Sequence, residues 1–378
     1  MTMTAVDRNN FFARFVGKRG EVVHDPRDAR LKQAGFCQFV APRMVRAYAE
    51  GETFGDHDVE EVSFDIRHPG EYEGYYGTGP FDGRTVRKSR GGRLFMLDPD
   101  GYFDRFGTTL VEMPYTRVPK RMFIGACQDL VRECAAFVPE FGQGYFYLRP
   151  WTRRVGVNCS TRPVRKGDGV LQTDGQEFLV LGFPCTGYLA GEIDATVEFR
   201  EERTRRGRGW MKLPENYLWN RRVTELLHHY GMVVFLKPSL IGGPMDWHIT
   251  EGDTGNFWWV NARQELFTSP AEIGEGDVLP GRTANLIGKI AEHRGFTVHR
   301  DWFALRDVVE HAVEIFFTGS AAGVKPCRSL EYGGVNPLQL VSGERGSMTL
   351  RLQEEFLNYA SGEWPEDPFG LLEPVELE

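Results

Sequence analysis

Long apolar runs are missing from this chain. No stretch approaches the roughly 20 consecutive apolar residues that a membrane-spanning helix needs, so no membrane partner is expected. A basic surplus is missing too. The 45 Lys and Arg stand against 53 Asp and Glu, a net charge of −8, which leaves no electrostatic footprint for nucleic acid. The densest basic cluster, Arg203, Arg205, Arg206 and Arg208, lies beside Glu201 and Glu202 and reads as a solvated loop. The six cysteines are scattered and no CxxC occurs, so neither a zinc site nor a disulfide framework is expected. The opening MTMTAVDRNN has no signal-peptide core, and reduced thiols in the cytoplasm are the expectation. Internal repeats and low-complexity tracts are absent as well.

What is present is the composition of a soluble globular protein, 41% hydrophobic and 26% charged. A length of 378 residues exceeds one ordinary core, so two domains are expected. Phe11, Phe12 and Phe15 fit one face of a short helix. Thr85–Lys88 and Arg93–Leu97 read as strands joined by Gly91 and Gly92. Pro99, Asp100 and Gly101 read as a turn. From Pro119 to Pro139, apolar residues recur at helical spacing. Gly144–Pro150 and Glu177–Pro184 read as strands, the second buried on both faces. Composition shifts after Cys185. Domains are therefore expected over 1–185 and 199–378, with 186–198 between them. In the second half, helices over 218–230, 283–294 and 302–312 alternate with strands over 232–236, 256–260 and 313–317, an α/β (α+β) pattern.

One stretch, GWMKLPENYLWN over 209–220, holds Lys212 among Trp210, Met211 and Leu213. Desolvation favours the neutral amine, and a neutral amine can form a Schiff base with an aldehyde. By itself the stretch reads more simply as a lysine snorkelling from a strand end. Four further segments follow a suggestive order around it: YLRP at 147–150, ITEGDTGNF at 249–257, LPGRT at 279–283 and EIFFTGSAAGVKP at 314–326.

Together these five segments resemble the branched-chain aminotransferases, class IV enzymes of the two-domain pyridoxal-phosphate fold type IV. The resemblance runs from about Tyr72 to the GEWPEDPFG segment. It implies pyridoxal 5′-phosphate as cofactor and Lys212 as its Schiff-base lysine, which then moves the proton at substrate Cα. It also implies Glu251 opposite the pyridine nitrogen, Tyr217 on the phenolic oxygen, and Thr254 beside the ring. Arg282 and Thr283, at a helix start, and Ser320 would hold the phosphate. Tyr147 and the backbone around Ser320 and Ala321 would hold the α-carboxylate. Arg149 would take the distal carboxylate of glutamate or 2-oxoglutarate, and Tyr76 and Phe81 would line the side-chain pocket. A homodimer acting on amino acids and 2-oxo acids, hydrophobic or specialised, is implied.

Some positions depart from that pattern. Where the family's phosphate-pairing arginine is expected, the alignment puts Asp98, so either the phosphate relies on Thr283, Ser320 and backbone groups, or another arginine such as Arg84, Arg87 or Arg93 substitutes. Arg282 replaces an aliphatic residue. Two other readings stay open: a pyridoxal-phosphate lyase of the aminodeoxychorismate lyase kind, against which Arg149 argues, and a non-catalytic relative.

Overall fold

The computed structural model describes residues 21–50, 53–63, 79–113, 115–154, 164–165, 171–172, 175–189, 191–204, 207–334 and 336–377. The helix expected over Phe11–Phe15 lies outside them. The elements that position the site are β1 (Arg43–Glu50), β2 (Arg84–Lys88), β3 (Leu94–Leu97), α1 (Pro99–Glu112), α2 (Lys120–Glu133), β4 (Tyr145–Arg154) and β5 (Gln176–Cys185). After a crossing come β6 (Ile193–Glu198), α3 (Arg221–His229), β7 (Met232–Lys237), β8 (His248–Gly252), β9 (Asn256–Asn261) and β10 (Leu266–Thr268). Then follow α4 (Arg282–His293), β11 (Val298–Arg300), α5 (Leu305–His311), β12 (Ala312–Gly319), β13 (Gly323–Glu331), α6 (Met348–Ala360) and β14 (Leu372–Val375).

Two sheets result. The first, eight-stranded, runs β14-β3-β2-β4-β5-β1 and ends in two short strands, Thr53–Phe54 and Asp58–Glu61, that both pair with β1. The second, nine-stranded, runs β8-β7-β6-β13-β12-β9-β10-β11, with Leu338–Gln339 beside β13.

In the first sheet the period of two sorts the residues of β4. Phe146 and Leu148 point into a core with α1 and α2 that includes Phe106, Phe123 and Phe178. Tyr145 and Tyr147 point the other way, beside Phe183 and Ala321. β9 and β12 are buried on both faces. Phe257, Trp259, Ile315 and Phe317 pack toward α5, while Trp258, Val260 and Phe316 pack toward α4 and α6.

Three expectations need correction. Pro99, Asp100 and Gly101 form the first turn of α1, capped by Asp98, whose side chain accepts the Gly101 N–H at 3.1 Å. A type I turn and a helix start share the same backbone region, so the tripeptide alone does not separate them. Residues 193–198, expected in the connection, form β6, with parallel neighbours on both sides; buried Ile193, Ala195 and Val197 hold it there. The last strand, β14, returns to the first sheet and pairs with β3, so the second half does not form the second unit alone.

Phe123 is fully buried against Phe103, Phe106 and Phe178. Phe123→Ala is expected to destabilise the protein by about 3–5 kcal/mol in urea unfolding; a loss under about 1 kcal/mol would mean that this aromatic cluster is not close-packed.

Candidate active site

The two sheets enclose a cavity of about 240 Å³ lined from both sides. Lys212 reaches it from a tight loop. Gly209 lies so close to the Asp277 backbone that a Cβ would fall 2.0 Å from its carbonyl. Met211 and Leu213 are buried, and Asn216 Nδ2 donates to the Met211 carbonyl at 2.9 Å. The lysine between these anchors is thereby aimed into the cavity. Its Nζ donates to the Tyr217 hydroxyl at 2.7 Å and lies 5.1 Å from the Phe81 ring centre. Burial lowers the Lys212 pKa, with the cationic Arg105 acting in the same sense and Tyr217 opposing. Burial raises the Tyr217 phenol, but Lys212 and Arg203 outweigh it and hold it below its ordinary value.

Glu251 lies at the end of β8. Arg203 Nη1 donates to its Oε1 at 2.5 Å, the Leu279 N–H donates to the same oxygen at 2.9 Å, and Asn256 Nδ2 donates to Oε2 at 3.3 Å. Burial pushes Glu251 up to about 7, opposed first by Arg203. A guanidinium this close favours the carboxylate over the acid. Arg203 is buried, not solvated as its run of charges suggested.

The third wall belongs to α1 and α4. Arg105 donates to Asp82 through Nε at 3.0 Å and Nη2 at 2.5 Å, and to the Pro280 carbonyl at 3.0 Å. It lines the cavity, whereas Asp98 does not. Arg84, Arg87 and Arg93 do not line it either. Arg84 lies over Tyr102 and Phe123, Arg87 over Tyr145 and Phe356, and Arg93 over Phe95. Of the arginines near position 98 in sequence, Arg105, two helical turns further on, is the one that lines the cavity. α4 begins after Gly281 with no side-chain cap. A Cβ at Gly281 would fall 1.8 Å from Asn256 Oδ1. Thr283 Oγ1 is buried without a hydrogen-bond partner among the described residues. Ser320 and Ala321 lie in the β12–β13 turn and line the cavity; the Ser320 hydroxyl is 2.7 Å from that of Tyr102.

The fourth wall carries Tyr147 and Arg149 of β4. Arg149 Nε donates to the Tyr147 hydroxyl at 3.2 Å, and its guanidinium carbon is 4.7 Å from the Phe81 ring centre. A Cβ at Gly83 would overlap the Tyr147 hydroxyl at 1.9 Å. Among the described residues Arg149 has no carboxylate partner. Thr254 lines the cavity and accepts from Tyr188 at 3.4 Å. The structure thus brings together Lys212, Tyr217, Glu251, Thr254, Arg282, Thr283, Ser320, Ala321, Tyr147, Arg149 and Phe81. Tyr76 lies outside the described residues. Arg105, Arg203, Asn256, Phe36 and Tyr188 also line the cavity and were not expected; only the helical phase of Arg105 could have shown it from sequence.

A family model described as Amino-transferase class IV matches residues 245–330. The solved Escherichia coli branched-chain amino acid aminotransferase is 24% identical, covers 84% of this chain and 97% of its own, and superposes with a TM-score of 0.67. The T.th. branched-chain amino acid aminotransferase complexed with N-(5′-phosphopyridoxyl)-L-glutamate is 18% identical over 88% of this chain and 98% of its own, with a TM-score of 0.67. The fold is that of the class IV aminotransferases. The branched-chain-amino-acid aminotransferase of Salmonella typhimurium is 35% identical over 310 residues, 80% of this chain and 90% of that protein. The chain belongs to the branched-chain aminotransferase family. No helix among the described residues is long and apolar enough to cross a membrane.

Asp82→Ala would leave Arg105 buried and unpaired, and is expected to cost about 3–5 kcal/mol in urea unfolding of the cofactor-free protein. A cost below about 1 kcal/mol would show that Arg105 finds another partner or solvent.

Proposed function

We propose that this chain is a pyridoxal-phosphate-dependent aminotransferase exchanging an amino group between L-glutamate and a hydrophobic, branched-chain or specialised 2-oxo acid. The observation that carries the reading is that one cavity is lined by an amine whose pKa burial lowers (Lys212), a carboxylate (Glu251) and an uncapped helix start.

The donors fit such a cofactor. Among the described residues, Thr283 Oγ1 is a buried hydroxyl lacking a partner; the first N–H groups of a helix have no partner within it, and Arg105 supplies a fixed cation. These, with Ser320, would hold the phosphate. Glu251 would face the ring nitrogen and Tyr217 the phenolic oxygen. When bound, pyridoxal 5′-phosphate supplies an aldehyde carbon for amines and a ring that withdraws electrons from substrate Cα. Arg203 opposes the burial penalty on Glu251 and favours its carboxylate form, which would accept a hydrogen bond from a protonated ring nitrogen. Lys212 Nζ would be the residue that holds the cofactor, and its neutral amine would move the proton at substrate Cα. Tyr217 holds that amine in place from 2.7 Å. Tyr147 and the backbone N–H groups of Ala321 and Ala322 bind the α-carboxylate. Arg149 binds a distal carboxylate when glutamate or 2-oxoglutarate is present and stacks on Phe81 when an apolar side chain replaces it. A cytoplasmic homodimer accords with the family resemblance, and sedimentation of the purified protein at dimer mass would support it.

The direct test is purified protein with glutamate against a panel of 2-oxo acids. Formation of 2-oxoglutarate with aliphatic acceptors is the expected outcome. Lys212→Ala is expected to lower turnover by at least about 10³-fold with folding intact; retained turnover would end the assignment. Arg149→Met is expected to raise KM for glutamate and 2-oxoglutarate by roughly 10–100-fold while changing that for branched-chain substrates by less than about 3-fold. Equal losses on both would remove the distal-carboxylate role.

Acidity supplies a further prediction. The lowered Lys212 pKa means that more amine is neutral at a given pH than in an ordinary lysine. The rate at which cofactor-free protein captures pyridoxal phosphate should therefore rise with pH and level off below 10.5, the ordinary lysine value. Tyr217 acts to raise that pKa, so Tyr217→Phe should move the inflection to lower pH. An inflection at or above the ordinary value would contradict the burial argument.

A further inference from the structure

Two positions depart from the family pattern in sequence, Asp98 and Arg282, and in the structure they are each other's partners. Arg282 donates through Nε to Asp98 Oδ2 at 2.6 Å, and its Nη2 contacts the same oxygen. The Asp98 side chain is 4% exposed and that of Arg282 15%. Asp98 is fixed independently on its other sides. Its N–H donates to the Leu371 carbonyl at 2.6 Å, its Oδ1 caps α1, and its φ of 46° is left-handed, a conformation uncommon outside glycine. Space for the guanidinium is made by Gly101, where a Cβ would fall 2.1 Å from Arg282 Nη2. The ion pair thus joins the first residues of two helices from different halves of the chain. α1 carries Arg105 seven residues after Asp98, on the same face. α4 carries Thr283 immediately after Arg282.

We propose that Asp98 and Arg282 form a positioning latch that sets the spacing between the two halves of the phosphate site, Arg105 on α1 and the start of α4. The inference rests on the reading of the cavity as a pyridoxal-phosphate site. Asp98 has no expected role in the chemistry, and Arg282 was expected to hold the phosphate. Arg282 lines the cavity, but its charge is spent on Asp98. A second tie between the same two elements runs from Arg105 to the Pro280 carbonyl, and Tyr102 ties α1 to Ser320 in the β12–β13 turn.

This reading makes an unusual demand on one variant. Asp98→Asn removes a negative charge near a phosphate site and frees a neighbouring cation. If charge alone mattered, a dianionic ligand would bind more tightly. If the ion pair positions the walls, binding weakens. The experiment measures, by ring absorbance and fluorescence, the affinity of cofactor-free protein for pyridoxal phosphate and for pyridoxamine phosphate, which needs no turnover. Wild type, Asp98→Asn, Arg282→Gln and the double variant are compared, with thermal unfolding of each cofactor-free protein alongside. Asparagine keeps the oxygen that caps α1, so a merely structural role predicts little effect on affinity.

The expected result is a loss on the order of 10-fold in Asp98→Asn for both ligands, at least as much in Arg282→Gln, and a double variant no worse than Arg282→Gln, since the latch is lost only once. Arg282→Lys, which keeps the charge, is expected to lose less than Asp98→Asn, and it stands in should Arg282→Gln fail to fold. Unchanged or tighter binding in Asp98→Asn, losses that multiply in the double variant, or an Arg282→Lys loss as large as that of Asp98→Asn would each overturn the latch. Wild-type protein that binds neither ligand would overturn the reading of the cavity, and the latch with it; binding by wild type with Asp98→Asn unaffected would overturn the latch alone.

Discussion

The site depends on how charge is kept inside a cavity between two sheets. Five cations line it: Arg105, Arg149, Arg203, Lys212 and Arg282. An uncompensated buried ion costs several kcal/mol even after relaxation, so such a cluster survives only if most of its members are neutralised. Three are, by Asp82, Glu251 and Asp98. Among the described residues, the two without a carboxylate are Lys212, which burial drives toward the neutral amine, and Arg149, which lies over Phe81. Under the proposed function these same two residues would meet an aldehyde and a substrate carboxylate, so that paired cations would hold walls in place and the other two would be left for ligands.

The pairs also explain why neither sheet could make this site alone. Glu251 and Lys212 belong to the second half of the chain, while Tyr147 and Arg149 come from β4 of the first sheet. Contacts across the boundary tie the halves together, among them the Phe81 N–H to the Lys212 carbonyl at 3.3 Å. The wall proposed to hold the phosphate is shared most evenly, since Arg105 rides on α1 and the helix start is that of α4.

How much of this was legible in the sequence follows from how local each signal is. The buried strands β4, β5, β9 and β12 show in continuous or alternating apolar runs, and α2 and α4 in their helical spacing. Motifs that keep their residues close in sequence, such as Lys212 with Tyr217 or Arg282 with Thr283, were expected at one site and line one cavity. What was missed is set by distant partners. Arg203 looks like any charge in a basic run until Glu251, 48 residues on, is seen beside it. α1 was hidden because Pro99, Asp100 and Gly101 suit a turn as well as a helix start, and with the helix unseen Arg105 had no phase. Asp98 looked like a defect because its explanation, Arg282, lies 184 residues away. β6 looked like a connection because a short strand flanked by parallel neighbours has no turn signal of its own.

The most direct measurement of the central claim is the site of covalent cofactor attachment. Protein loaded with pyridoxal phosphate is reduced with borohydride, digested, and its peptides are weighed. The expected result is one pyridoxyl-phosphate adduct, on the peptide containing Lys212, with loss of the visible absorbance band. An adduct on another lysine, or no adduct in protein shown to be folded, would contradict the account.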